Sequence, residues 1–422
     1  MKTSALIGHT SELCSTIFEW EKPADIMLSE FYKRRKYLGS HDRKYISELC
    51  YSLIRNFGAL ESIRITLSSE HDYFNDQNSL LMIYFTIFTP KSKEEDNYFT
   101  EILPDYKQLQ KKILEAYGKT AASPFAVYSF PVWMISKFRA LFNDEELTLF
   151  LNSLNLPAGA YIRLRDSNQE AELIKAFAKK GFDLVRSGMV PEAFKLNKRL
   201  NFYDIEGFSK GLFEVQDLGS QLVTKFSVSG KEEIVLDACA GAGGKSLQLV
   251  SILPKGSAIY CYDADPKRLI RLKERITGKR YNNLNIILDR EGLEKIRNRC
   301  DLVLIDAPCS GSGTIRRNPD LKWRLKEKDV KRYSGIQLSI LKEYSYYVRP
   351  GGNLAYITCS FFREENEDVI NEFLETYKNF SLTNNELFFQ KHGIENNSGF
   401  LRLYQHLHDT DGFTAAILER NT

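Results

Sequence analysis

The spacing of apolar residues changes in character along the chain, and its first part has helical spacing. In residues 42–57, apolar side chains fall at positions 45, 46, 49, 53 and 54, on one face of a helix. Asp42 stands where a helix N-cap is expected. A second apolar helix is predicted over 79–88, and the polar stretch 91–97 is predicted to be a loop. We therefore expect residues 1–122 to form an all-helical domain.

The middle of the chain alternates short segments of both kinds, and a boundary is predicted near Ser123. The predicted elements are a helix from Pro131, a strand over 159–165, a helix over 168–180 and a strand over 182–185. Alternation of this kind is typical of a small α/β unit. We therefore interpret residues 123–212 as a connector domain.

From about residue 213 the rhythm becomes strand, glycine-bearing turn, helix. Continuous apolar runs separated by helical spacers indicate a parallel sheet covered on both faces. The predicted strands are 234–238, 257–262, 284–288, 302–305 and 354–357. The segment 412–419 is predicted to close the sheet as an edge strand. Residues 213–422 are thus predicted to be an α/β catalytic domain.

Composition excludes several classes of protein. The 422 residues are 43% hydrophobic and 27% charged, which is ordinary for a globular protein. We expect no membrane association, because no apolar run approaches the roughly 18 residues of a membrane span, and the first residues turn polar too early for a secretory signal. Seven dispersed cysteines without a Cys-x-x-Cys pair argue against a disulfide framework and against a zinc site. We expect a cytoplasmic monomer without a metal.

The net charge of +3 does not by itself indicate a binding partner, but the distribution of charge along the chain does. Residues 316–332 contain eight Lys or Arg against three Asp or Glu, with a tryptophan among them. Such a stretch suits a nucleic-acid backbone with a base stacked on the ring. The candidate RNA-binding residues are Arg316, Arg317, Lys322 and Trp323. The alternative is that Trp323 anchors the following helix in a core.

Two cysteines follow apolar strands at matching positions. Cys309 ends the stretch Asp306-Ala-Pro-Cys, and Cys359 lies two residues past the strand 354–357. Neighbouring parallel strands lie about 5 Å apart, so both thiols would open into one crevice at the carboxyl edge of the sheet. A single cysteine is usually buried and inert. A matched pair favours nucleophilic catalysis.

A glycine-rich loop after the first strand of the last domain predicts a nucleotide-like cofactor. The loop runs from Asp237 to Ser246 and opens a helix, and Asp263 closes the next strand, where a carboxylate can accept both ribose hydroxyls. A dinucleotide fingerprint would need a third glycine where Ser246 stands. Acids at Asp237 and Asp289 repel a pyrophosphate but suit a sulfonium with an ammonium group. S-Adenosylmethionine is therefore favoured over NAD.

Together these motifs resemble the RsmB/NOP (Sun) family of RNA cytosine-5 methyltransferases. They are Asp237-x-Cys-x-x-x-Gly-Gly-Lys245, Asp306-Ala-Pro-Cys-Ser310, Asn318-Pro-Asp-Leu-Lys-Trp323, Thr358-Cys-Ser360 and Glu364-Glu-Asn366. The likeness is dense from Val215 to Phe413 and weaker around Asp42–Tyr51, which resembles a NusB-like domain. It implies a class I S-adenosylmethionine-dependent methyltransferase fold (Rossmann-like, with a mainly parallel seven-stranded sheet) after an all-α NusB-like RNA-binding domain and a small α/β connector.

The resemblance also implies roles for individual residues. Cys359 matches the nucleophile, Cys309 the cysteine that helps release product, and Asp306 the acid that contacts the cytosine ring. The implied cofactor-binding residues are Asp237, Ala238, Cys239, Ala240, Gly241, Gly243, Gly244, Lys245, Asp263, Arg268, Asp289 and Asp306. The chain departs from the family at Gly241-Ala242, where Ala-Pro is common, and at Leu288-Asp289, where Gly-Asp is common.

The implied reaction is methylation of C5 of a cytosine through a covalent adduct at C6. A thiolate added to C6 breaks the aromaticity of the ring and pushes electron density to C5. Strand position by itself favours Cys309 as the attacker, because other pyrimidine-C5 methyltransferases use a Pro-Cys thiol; the family resemblance favours Cys359. The implied substrate is small-subunit ribosomal RNA. The alternatives are tRNA, large-subunit RNA, a protein substrate, an NAD-dependent oxidoreductase, and a non-catalytic RNA-binding assembly factor.

Overall fold

The computed structural model describes residues 1–76, 78–89, 93–197, 200–277, 281–396 and 398–422. The chain forms two compact units. The helical unit comprises residues 1–157 and 315–327, and the sheet unit comprises residues 158–314 and 328–422. In the described ranges, no helix combines the length and the apolar character that a membrane crossing requires.

The helical unit packs around one long helix. Its helices in the first segment are α1 (Thr3–Ile17), α2 (Ala24–Arg34), α3 (Ser40–Ser68), α4 (Ser79–Ile87), α5 (Lys93–Ile102), α6 (Tyr106–Lys119), α7 (Pro124–Tyr128), α8 (Val132–Arg139) and α9 (Asp144–Leu154). Helix α3 buries Ile46, Leu53 and Ile54 against apolar side chains of its neighbours. The predicted helical spacing of this region is therefore confirmed, and burial of that apolar face stabilises the unit.

The sheet unit begins with a small antiparallel sheet. Its strands β1 (Ala160–Leu164), β2 (Leu184–Arg186), β3 (Ala193–Leu196) and β4 (Phe213–Val215) are ordered β2-β3-β1-β4. Helix α10 (Glu170–Ala178) buries Leu173 and Phe177 in a core shared with this sheet. This is the α/β character that the alternating segments predicted.

The main sheet carries the candidate site. Its strands β5 (Ile234–Asp237), β6 (Ala258–Cys261), β7 (Leu284–Ile286), β8 (Cys300–Asp306), β9 (Val348–Thr358), β10 (Phe380–Leu382) and β12 (Phe413–Arg420) are ordered β10-β12-β9-β8-β5-β6-β7, and β11 (Leu401–Leu403) pairs with β12. The pairs β5–β6, β6–β7, β5–β8 and β8–β9 are parallel, while β12 is antiparallel to its neighbours. The mainly parallel sheet predicted from the sequence is confirmed.

The order of strands places a crevice at the end of β5. The chain runs from β5 to β6 and β7 on one side, then returns to β8 and β9 on the other. Ligands of open α/β sheets bind at such a reversal, outside the carboxyl ends of the strands. The connecting and flanking helices are α11 (Leu218–Phe226), α12 (Gly244–Ile252), α13 (Pro266–Ile276), α14 (Arg290–Glu294), α15 (Leu321–Arg324, in the helical unit), α16 (Glu327–Ser345), α17 (Glu367–Thr376), α18 (Glu386–His392) and α19 (Gln405–His408).

Strand β8 shows why these runs are continuously apolar. Leu302 and Leu304 belong to the core on one face of the sheet, and Val303 and Ile305 to the core on the other. All four positions from 302 to 305 are therefore removed from water, and an alternating pattern would place polar side chains in one of the two cores.

Several predicted details are wrong. The segment 412–419 is not an edge strand, because β10 pairs with the outer side of β12, and three residues are too few to give β10 a sequence pattern. Residues 93–97 are helical, while 91–92 lie outside the described residues. Asp42 is not the N-cap, since α3 begins at Ser40; its carboxylate accepts the Gly39 N–H at 3.1 Å.

The predicted domain boundaries at 122/123 and 212/213 differ from the observed division. The structure divides the predicted connector: its helices α7–α9 belong to the helical unit, and its strands belong to the sheet unit. Helix α7 packs on α3, and a Cβ at Gly58 of α3 would lie 2.4 Å from the Phe125 carbonyl oxygen. Close packing of this kind joins 124–154 to the helical unit, although the sequence changes in character at Ser123.

Candidate active site

The two predicted cysteines lie side by side in the sheet unit. Strands β8 and β9 are parallel, and Asp306 is paired with Ile357, so the chain leaves both strands at the same level. The Sγ atoms of Cys309 and Cys359 are 3.3 Å apart, within hydrogen-bond distance for sulfur. Both thiols are half-buried. The two thiols are therefore neighbours beyond the ends of adjacent strands, while their opening into a common crevice stays a prediction.

The close contact between the two sulfurs affects the pKa of Cys309. The hydrogen bond with Cys359 raises the pKa of the Cys309 thiol well above its ordinary value, and burial and the charge of Glu365 add to the effect. Two sulfurs at this distance cannot both carry a charge in a site of low dielectric. Cys309 therefore keeps its proton at neutral pH and can donate it in a hydrogen bond to the Cys359 sulfur.

A buried carboxylate connects the two cysteine loops. Glu365 accepts hydrogen bonds from the hydroxyls of Ser310 and Ser360, each at 2.5 Å, and from the Ser310 N–H at 2.7 Å. These serines directly follow Cys309 and Cys359 in the chain. The loops that carry the thiols are thereby fixed to a common anchor.

The end of β8 also carries a charged pair. Asp306 Oδ2 lies 2.6 Å from Lys245 Nζ, and the lysine, at the first turn of α12, is mostly buried. Its ammonium also lies 5.3 Å from the centre of the Phe413 ring. Lys245 therefore connects the glycine-rich loop to the cysteine-bearing strand.

The glycine-rich loop has the backbone that its composition predicted. Gly241 and Gly243 adopt left-handed conformations with φ of 55° and 82°, and a Cβ at Gly243 would lie 2.2 Å from Leu272 Cδ1. The carboxylate of Asp263 accepts the Gly241 N–H at 2.8 Å and the Asp265 N–H at 2.9 Å. Only glycine fits the turn at Gly243, and Asp263 supports the loop from β6.

A cavity of about 350 Å³ lies at this loop, at the end of β5. It is lined by Val215, Gln216, Asp217, Ser220, Asp237, Cys239, Ala240, Gly241, Ala242, Gly244, Lys245, Arg268 and Asp306. Asp237 is 1% exposed, and burial raises its pKa to about 7 against a hydrogen bond from Ser246 at 2.6 Å. Its Oδ1 atom is buried with no hydrogen-bond partner among the described residues. A cationic ligand in the cavity would satisfy that oxygen.

Comparison with known proteins identifies the family. Residues 228–419 match a family model described as 16S rRNA methyltransferase RsmB/F. The probable ribosomal RNA small subunit methyltransferase B of Bacillus subtilis is 30% identical over 68% of this chain and 65% of its own length, and that of Coxiella burnetii is 28% identical over 90% and 93%. Residues 228–419 of this chain belong to the RsmB/F family. The crystal structure of PH0851, 24% identical, has the same fold, with a TM-score of 0.74 over 100% of this chain and 99% of that chain.

Four predicted cofactor residues do not line the cavity: Ala238, Gly243, Asp263 and Asp289. The Asp289 carboxylate is exposed and accepts the Gly292 N–H at 2.7 Å, as the N-cap of α14. Arg268 lines the cavity, but its side chain is 61% exposed and lies 4.0 Å from Asp263. Ala238 is a buried core residue next to Asp237. Burial also raises the pKa of Cys239 well above its ordinary value, so this thiol is inert.

The predicted RNA contact of Lys322 is wrong. Its side chain is fully buried in the helical unit, where Nζ donates to the Arg55 carbonyl at 2.9 Å and to Asn155 Oδ1 at 2.7 Å. Burial, with the nearby Arg55 charge, lowers the pKa of Lys322 well below its ordinary value. A cation held by these acceptors cannot reach a phosphate.

The other RNA candidates share this segment of the helical unit. Trp323 Nε1 donates to the Ile54 carbonyl at 2.8 Å, and its ring packs on Phe57 and Phe125, so the alternative of a core anchor describes it. Arg316 is 8% exposed and donates to the Pro157 carbonyl at 3.0 Å. Arg317 is half-buried, and its contact with RNA stays a prediction.

Sequence reasoning missed several residues of the site. Gln216, Asp217 and Ser220 line the cavity before the glycine-rich loop begins. Glu365 stands in a stretch that carried the family resemblance, and that position was the available signal. Gln337 of α16, which donates to Glu365 at 3.0 Å, lies in an ordinary amphipathic helix and gives no sequence signal.

Proposed function

We propose that this protein methylates C5 of a cytosine in small-subunit ribosomal RNA through a covalent adduct between Cys359 and C6. The observation that carries the proposal is the pair of sulfurs 3.3 Å apart at the ends of β8 and β9. The names of the curated relatives, ribosomal RNA small subunit methyltransferase B, support RNA as the substrate class.

The cavity at the glycine-rich loop fits S-adenosylmethionine as the methyl donor. The unpartnered Oδ1 of buried Asp237 suits a cationic group. Asp263 holds the loop through the Gly241 N–H, and its contact with ribose hydroxyls stays a prediction. Loop residues 239–244 and Lys245 would hold the rest of the molecule. When bound, S-adenosylmethionine supplies a methyl group attached to a positively charged sulfur.

Cys359 is the proposed nucleophile because the family resemblance gives it that role, and the raised pKa of its neighbour Cys309 is in keeping with that choice. A proton donated by the Cys309 thiol stabilises charge on the Cys359 sulfur, so Cys359 attacks as the thiolate. Its electron pair forms the bond to C6, and the C5–C6 π electrons become available at C5. Asp306, which lies 2.6 Å from the Lys245 ammonium, is proposed to receive a proton from it and to donate that proton in a hydrogen bond to N3, which stabilises the negative charge that develops there.

Release of the product needs a base, and the bond between Cys359 and C6 allows Cys309 to become that base. The leading cause of the raised Cys309 pKa is its hydrogen bond with Cys359, and that partner loses its charge when it binds carbon. Cys309 can then lose its proton to solvent and remove the proton from C5. The C–H electrons re-form the C5–C6 double bond, and the thiolate of Cys359 leaves.

The test is to trap the adduct. With S-adenosylmethionine and substrate RNA, Cys309→Ala is expected to accumulate an RNA–protein adduct that survives denaturing gels, because release is blocked. Cys359→Ala is expected to form no adduct and to lose methylation. Cys300→Ala, at the buried start of β8, is the matched control and should behave as wild type. An adduct with Cys359→Ala and none with Cys309→Ala would reverse the roles.

A second experiment identifies the substrate. Bisulfite sequencing of ribosomal and transfer RNA from a deletion strain should show one small-subunit cytosine that loses protection, and complementation with Cys359→Ser should not restore it. Loss at a tRNA or large-subunit site would keep the chemistry and change the target. No lost site, with RNA binding retained, would instead support a non-catalytic assembly factor.

A further inference from the structure

The sheet unit buries one carboxylate directly behind the two thiols. Glu365 is 0% exposed, and among the described residues no basic side chain forms an ion pair with it. It accepts four hydrogen bonds instead: two at Oε1, from the Ser310 N–H and Gln337 Nε2, and two at Oε2, from the Ser310 and Ser360 hydroxyls. A buried charge without a counter-ion persists only when donors saturate it in this way.

The donors come from the segments whose relative position matters for chemistry. Ser310 follows Cys309 and Ser360 follows Cys359, and their hydroxyls are also 3.2 Å from each other. Gln337 of α16 donates to Glu365 and also to the Pro308 carbonyl at 3.0 Å, on the other side of Cys309. The residues before and after Cys309 are therefore both tied to one carboxylate.

The carboxylate is itself anchored to β9. Tyr356 OH donates to the Glu365 carbonyl at 2.6 Å, and Thr358 Oγ1 donates to Asn366 Oδ1 at 2.6 Å. Asn366 in turn donates to the Ser360 carbonyl at 3.1 Å. Glu365 is thus held to the strand that ends at Cys359, and it reaches across to the loop of Cys309.

We propose that Glu365 is a positioning residue that clamps the Cys309 loop to the Cys359 loop and sets the distance between the two sulfurs. It touches neither substrate nor cofactor in this role and acts through Ser310 and Ser360. The catalytic consequence rests on the proposed function, whereas the sulfur–sulfur distance can be tested without RNA.

The chemistry of the clamp requires a carboxylate. A carboxylate has only acceptor positions, and all four partners of Glu365 present donors to it. A glutamine of the same size keeps one acceptor oxygen but turns an amino group towards the Ser310 and Ser360 hydroxyls, which would then have to accept instead of donate. All the bonds would also lose the negative charge that strengthens them, so the clamp would loosen. The charge of Glu365 also contributes to the raised Cys309 pKa, in keeping with a clamp that keeps this thiol protonated.

The first test measures the distance between the sulfurs through their oxidation. With oxidised glutathione, two thiols at contact distance exchange to an intramolecular disulfide and release two molecules of reduced glutathione. We expect the Cys309–Cys359 disulfide, quantified by peptide mass spectrometry, to form about tenfold to a hundredfold more slowly in Glu365→Gln. Glu232→Gln is the matched control, because Glu232 is also buried and accepts two loop N–H groups, at residues 229 and 230. Equal rates in all three proteins would overturn the clamp.

The second test separates the two arms of the clamp. Ser310→Ala frees the Cys309 loop, so release should slow and the RNA adduct should accumulate, as in Cys309→Ala. Ser360→Ala frees the Cys359 loop, so formation of the adduct should slow instead. If the two serines had only a structural role, both variants would lose methylation to the same extent and neither would accumulate the adduct. These variants also keep the proposal testable if Glu365→Gln does not fold.

The two proposals fail in different ways. If Cys309→Ala traps no adduct but Glu365→Gln still slows disulfide formation, the clamp stands and the proposed reaction fails. If Cys309→Ala traps the adduct while Glu365→Gln and both serine variants match wild type, the reaction stands and the clamp fails.

Discussion

Replacement of Asp237 by Asn should make the stability of the sheet unit less dependent on pH. Asp237 is buried, its Oδ1 has no partner among the described residues, and its pKa is raised to about 7 by burial. The unfolded chain ionises this carboxyl near its ordinary value of 3.8. The folded state therefore keeps this carboxyl protonated up to a higher pH than the unfolded chain does, and the stability of the sheet unit falls as pH rises from about 4 to about 7.

The magnitude follows from the two pKa values. Each pH unit in that window costs about 1.4 kcal/mol, so the wild type loses about 3 kcal/mol between pH 5 and pH 7 through this group, and nothing further above pH 7. Asn cannot ionise. The free energy of unfolding of Asp237→Asn, relative to wild type, should therefore rise by about 3 kcal/mol from pH 5 to pH 8. Comparing two pH values cancels any fixed cost of the amide group.

Calorimetry measures this difference, and the tryptophans provide an internal control. For a unit of this size, about 3 kcal/mol corresponds to about 6–12 °C in Tm. The three tryptophans, at positions 20, 133 and 323, all lie in the helical unit, so their fluorescence transition should be the same in variant and wild type. The variant should at the same time bind S-adenosylmethionine more weakly, since the anionic oxygen is gone.

Two results would refute the reasoning. A Tm difference between variant and wild type that is the same at pH 5 and pH 8 would mean that Asp237 titrates normally in the folded state. A variant that instead gains stability relative to wild type as the pH falls would mean that the carboxyl is held ionised in the folded state, and the assigned cause, burial of an unpartnered oxygen, would be wrong.

Two further substitutions test other parts of the structure. Lys322→Met should lower the stability of the helical unit by about 1–3 kcal/mol, because it leaves the acceptors Arg55 O and Asn155 Oδ1 unpaired. The dependence of RNA affinity on salt concentration should not change. A weaker salt dependence in the variant would restore Lys322 as a phosphate contact. Gly412→Ala should destabilise the sheet unit by about 1–3 kcal/mol in urea titration, because a Cβ would lie 2.0 Å from the Phe361 ring. The control is Gly256→Ala, where nothing lies within 4 Å, and its free energy of unfolding should differ from wild type by no more than about 0.5 kcal/mol. Equal effects of the two substitutions would refute the steric argument.

The sequence predicted the parts of the fold that depend on local pattern. Continuous apolar runs such as β8 indicate a strand buried on both faces, whatever lies beside it, and the glycines at 241 and 243 indicate left-handed backbone before a helix. The placement of Cys309 and Cys359 next to each other followed from two such runs being neighbours. Each inference used physical chemistry within a few residues of the chain, plus the general rule for parallel strands.

Contacts between distant residues were decided only by the tertiary structure. The charge pattern of residues 316–332 predicted a basic surface for RNA, yet the fold buries Lys322 in the helical unit. A charge pattern does not reveal which donors find carbonyl partners. The position of β12 inside the sheet depends on β10, which is too short to recognise. Glu365 meets Ser310, 55 residues earlier, only because β8 and β9 are adjacent. Local pattern fixes which residues avoid water; strand order and packing fix which of them meet.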